Sequence, residues 1–108
     1  MSNIAQWIET LAEGEKVQAV CIGTHCQDKW GWGDDQEPFN SAPIGVVLSW
    51  DQARPFLEYE FDSGYGGADC HPVVAWTTSK IITISEYNGS TRAISAPRHP
   101  IDFVPTFN

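Results

Sequence analysis

Two short stretches of the chain pair an imidazole with a thiol in mirrored order, His25-Cys26 and Cys70-His71. Together they offer two nitrogen and two sulfur donors, the ligand types of a tetrahedral zinc site. Their spacing speaks against it, because ligands that grip one ion are usually separated by about two to four residues, and adjacent residues of an extended chain point to opposite sides. Zinc on His25, Cys26, Cys70 and His71 is therefore one reading. A Cys26–Cys70 disulfide is a second, and unlinked side chains are the third, which the spacing favours. No other motif asks for a cofactor.

Asp69-Cys70-His71 also sets an acid, a thiol and a base side by side, the residue types of a nucleophilic hydrolase. A working dyad needs the base nitrogen within hydrogen-bond reach of the sulfur, and such partners usually come from different elements. His25 or His99 would serve as well as His71. The plainer reading of Cys70 is a loop thiol facing solvent.

A third group lies between Lys29 and Glu37, where Trp30 and Trp32 precede Asp34, Asp35 and Glu37. Exposed, this combination suits stacking on a sugar or aromatic ring, or capture of a cation by ring faces and carboxylates together. The competing reading has the tryptophans anchoring a long loop on the core while the acids are solvated. The acids lack the spacing of a calcium-binding loop. Downstream, Asp62-Ser63-Gly64-Tyr65-Gly66-Gly67 is glycine-rich, but no Gly-Lys-Ser/Thr follows and its surroundings are acidic, so it is no phosphate loop. Its glycines read as a hairpin needing positive φ, with Tyr65 joining Trp30, Trp32, Asp34 and Asp35 as a candidate ligand contact. Arg98 completes the set: its planar fork either fastens the tail to a carboxylate or to backbone carbonyls, or holds a ligand.

These residues must be positioned by a small scaffold. The chain has 108 residues, 42% of them hydrophobic, which suffices for one two-layer core and for a single domain over residues 1–108. The net charge of −8 is uneven: Asp28 to Asp69 holds nine acids against Lys29 and Arg54, whereas Cys70 to Asn108 holds two acids against three bases. Such a surface disfavours nucleic-acid binding through phosphates and favours a cationic small molecule or protein as partner. No run approaches the roughly 18 apolar residues of a membrane span, and the first residues lack a secretory pattern. A cytoplasmic location and no membrane contact are expected, with the three cysteines reduced and Cys21 buried as a small hydrophobe.

Ile4, Trp7, Ile8 and Leu11 have helical spacing, with Ser2 or Asn3 as N-cap and Gly14 as stop. Strands are expected over 16–23, 44–48, 57–62, 73–76, 80–87 and 91–95, the last two joined by Asn88-Gly89, a two-residue hairpin signal. Ser49 to Gln52 has the pattern of a capped helical turn that Pro55 keeps short. Segments 24–43 and 63–72 read as two long loops, and the proline-broken tail as an extended strap packed on the body. The fold class is thus α+β: an N-terminal helix packed on a mostly antiparallel sheet of about five or six strands.

The segment from Trp76-Thr77-Thr78-Ser79-Lys80 through Glu86-Tyr87-Asn88-Gly89, ending Ala96-Pro97-Arg98-His99-Pro100, resembles a C-terminal pattern of small uncharacterised bacterial proteins carried on mobile gene cassettes of the integron type. The resemblance covers the last third of the chain. It implies an α+β protein of unknown function and transfers no site residue. Three function classes stay open: a small acidic binding or interaction module presenting the Trp-rich loop, homodimeric if its edge strands pair; a hydrolase-like enzyme using Cys/His or paired carboxylates such as Asp34 and Asp62; and an acidic inhibitor mimicking nucleic acid.

Overall fold

The structure is a computed structural model and describes residues 2–24, 42–61, 64, 70–87 and 90–105. Its elements are β1 (Ser2–Asn3), α1 (Ile4–Ala12), β2 (Val17–Ile22), β3 (Val47–Leu48), α2 (Trp50–Leu57), β4 (Glu60–Phe61), β5 (Val73–Thr77), β6 (Lys80–Tyr87) and β7 (Ser90–Pro97). Five strands form one sheet in the order β3-β2-β5-β6-β7, while β1 and β4 form a separate pair. Every pairing among the described residues is antiparallel. The fold class is α+β, with the N-terminal helix against the sheet.

Helix α1 starts where the Asn3 side chain accepts the Gln6 N–H at 3.2 Å, satisfying one of the donors that a helix start leaves over. It ends at Glu13, whose left-handed φ of 52° turns the chain out of the helix, and Gly14 continues the turn at φ 84°. Ile4, Ile8 and Ala12, four apart, make its buried stripe together with Ala5. Trp7 closes the side of that stripe by standing edge-on to Phe61, with ring centroids 5.3 Å apart.

Helix α2 carries a reciprocal cap: Ser49 Oγ accepts from the Gln52 N–H at 3.2 Å and the Ser49 N–H donates to Gln52 Oε1 at 3.0 Å. The helix runs on through Pro55 to Leu57 and is not a single turn. Pro55 forfeits only the bond to the Asp51 carbonyl, and burial of Ala53 and Leu57 on one face carries the helix past it. Leu57 is consequently the end of a helix and not the start of a strand. Of the described part of the alternating stretch, 57–61, only Glu60–Phe61 is paired as a strand, and its partner is Ser2–Asn3, outside the main sheet.

Side chains alternate along a strand, so the registers sort the main sheet into two faces. Ile22 opposite Val73, Val20 opposite Ala75, and Ala75 opposite Ile82 all point one way. Each is buried in one core with Ile4 and Ile8 of α1 and Ala53 and Leu57 of α2. Helix α1 lies over β6 and β7, and α2 over β2. Both helices therefore cover the same face.

The β6–β7 pairing runs from Lys80 opposite Pro97 to Tyr87 opposite Ser90, which leaves a two-residue connection. Residues 88 and 89 themselves lie outside the described residues. The strand expected over 44–48 shrinks to Val47–Leu48, because Gly45 turns at φ 73°. Over its described residues the tail is not packed down as a strap: Ile101, Phe103 and Val104 are 61%, 55% and 85% exposed. No helix among the described residues is long and apolar enough to cross a membrane.

Candidate functional site

Of the residues singled out by their chemistry, His25, Cys26, Trp30, Trp32, Asp34, Asp35 and Tyr65 lie outside the described residues, as do Asp62 and Asp69. Cys70, His71 and Arg98 can be placed.

Cys70 and His71 enter the core side by side at 1% and 0% exposure, so Cys70 is no solvent-facing loop thiol. The Tyr59 phenol oxygen accepts the backbone N–H of His71 at 2.9 Å and lies 2.7 Å from its Nδ1. One phenol thus fixes both the main chain and the imidazole of the same residue. The rings also meet edge-on, with centroids 5.6 Å apart. Among the described residues, no group of three or more His, Cys, Asp and Glu is arranged to hold a metal ion.

Arg98 belongs to a polar knot at the β5–β6 turn. Its guanidinium donates to the Thr77 carbonyl at 2.9 Å and to Gln18 Oε1, and its backbone N–H donates to the Ser79 carbonyl at 2.9 Å. Across the knot, Glu15 receives the Ser79 hydroxyl at 2.5 Å, the Thr77 hydroxyl at 2.6 Å and the Ser79 N–H at 3.1 Å. The Ser79 hydroxyl first, then the Thr77 hydroxyl and the Ser79 N–H, hold the Glu15 carboxyl down from 4.5 to about 2. Lys80 adds attraction and ties the knot to α1 through the Leu11 carbonyl at 2.9 Å and Glu13 at 3.1 Å.

Beside this knot opens a hollow of about 530 Å³ lined by Glu9, Glu15, Lys16, Gln18, Trp50 and Asp51. Its acids suit a cation in type, yet Glu15 is spent on Thr77 and Ser79, and Glu9 on Arg54 at 3.2 Å. Asp51 sits in the first turn of α2, where a negative charge complements the helix dipole. These carboxylates serve the fold.

The sheet face turned away from the helices is different. One row across it runs Val47, Cys21, Val74, Thr83, Ile94; the next runs Ala19, Trp76, Ile81, Ala96. Val47 and Ala96 are exposed, and the other seven are half-buried. The one hydroxyl in the two rows, Thr83 Oγ1, donates to the Val73 carbonyl at 3.0 Å, which consumes its polarity within the sheet. Arg92, beyond the rows beside Ser85, is the only charged side chain on this face of the paired residues. Cys21 lies here, half-exposed, and not in the core: Val20 and Ile22 on either side of it point inward.

At one end the face dips into a hollow of about 390 Å³ formed by Cys21, Val74, Thr83, Ile44 and Pro72. Gly23 makes this shape possible: its N–H donates to the Pro72 carbonyl at 2.7 Å, and a Cβ there would come within 2.7 Å of the Pro72 ring. Ile44, Val46 and Val47 stand along the rim at 46%, 51% and 68% exposure.

None of these face residues stood out by reactive chemistry. A signal was nevertheless present: Ala19-Val20-Cys21-Ile22 and Val73-Val74-Ala75-Trp76 are continuous apolar runs, the pattern of strands covered on both faces. The helices cover one. Comparison with known protein families, with curated proteins and with solved structures finds no match for the chain.

Proposed function

We propose that the chain is a small binding module that works through the open face of its five-stranded sheet and docks an apolar protein surface there. The observation that carries this reading is the pair of rows Val47–Cys21–Val74–Thr83–Ile94 and Ala19–Trp76–Ile81–Ala96, apolar throughout except for a hydroxyl already bonded. An apolar face that no described residue covers costs solvation free energy if it meets water, and patches of a few hundred Å² on small proteins commonly mark interaction sites. A large aromatic at the centre of such a patch is the residue type that most often anchors an interface. The aromatic acidic segment with Trp30, Trp32, Asp34 and Asp35 remains a second surface that the same module would present to a cationic partner, outside the described residues.

The test uses Nile red, a neutral dye that fluoresces in apolar surroundings, at a protein concentration low enough for a monomer. The native chain is expected to bind it. Trp76→Ser and Ile81→Lys, each keeping the native circular dichroism, lose most of the signal. Undiminished dye binding by both folded variants overturns the reading.

A further inference from the structure

We draw no further inference here: the strongest candidate, the apolar outer face of the five-stranded sheet with its hollow beside Cys21, belongs to the binding surface already described, and nothing among the described residues shows what covers it.

Discussion

Trp76 lies directly opposite Ile81 across the β5–β6 pairing, on the side of the sheet that neither helix covers. One position along each strand, Ala75 opposite Ile82 is fully buried beneath the helices. The same two strands thus build a core on one face and an apolar outer surface on the other, and the expectations below follow from which side a residue takes.

Ile82→Ala removes a side chain of 0% exposure from the centre of the core. The loss of buried surface and the cavity left behind should cost about 2–5 kcal/mol, read from urea unfolding. Ile81→Ala, one residue away on the outer face, should cost well under half as much in the same measurement. Equal costs would show that both faces are core.

Tyr59→Phe deletes the hydroxyl that serves both the His71 N–H and its Nδ1. Leaving these buried groups without the phenol should destabilise the chain by about 1–3 kcal/mol. A neutral result in thermal unfolding would mean that the phenol is not what fixes His71.

The Glu15 carboxyl, held at about 2 against an ordinary 4.5, contributes stability that is present above pH 4.5 and is lost as pH falls toward 2. The sign follows from the depressed value: the unfolded chain takes up the proton first. Glu15→Gln should therefore lower the unfolding midpoint at pH 7, and the gap to the native chain should close between pH 4.5 and pH 2. A gap independent of pH would contradict the hydrogen-bonding pattern at Ser79 and Thr77.

Thr91 is 3% exposed, and its hydroxyl finds no hydrogen-bond partner among the described residues. Thr91→Val keeps the shape and removes the buried polar atom, so it should be neutral or stabilising by up to about 1 kcal/mol in urea unfolding. Clear destabilisation would reveal a bond at that oxygen.

Much of the scaffold was legible in the sequence. The helical spacing of Ile4, Trp7, Ile8 and Leu11, with Ser2 or Asn3 as the cap, announced α1, and the alternation of Ile81 against Ile82 and Ile84, with a two-residue turn signal, announced the β6–β7 hairpin. What misled was short-range pattern without its partner. Leu57, Tyr59 and Phe61 alternate as a strand does, but the Ser49–Gln52 cap commits the chain to helix up to Leu57. Cys21 sits in an apolar run and was expected to be buried, yet its neighbours Val20 and Ile22 take the core side and leave it outside. The open face was hidden for a further reason: it carries no reactive residue pattern, and only the placement of both helices on one side makes its apolar rows unusual. The candidate residues His25, Cys26, Trp30, Trp32, Asp34, Asp35 and Tyr65 lie outside the described residues.

The central claim is that the face opposite the helices is the binding surface. The most direct measurement is methyl-resolved NMR of the monomeric chain with a neutral nitroxide probe that seeks exposed apolar surface. The account predicts the strongest attenuation at the methyls of Val47, Val74, Ile81 and Ile94 and at the Trp76 indole, with Ile8, Leu57 and Ile82 spared. Attenuation concentrated around Glu9, Lys16 and Trp50, with the outer rows protected, would contradict it.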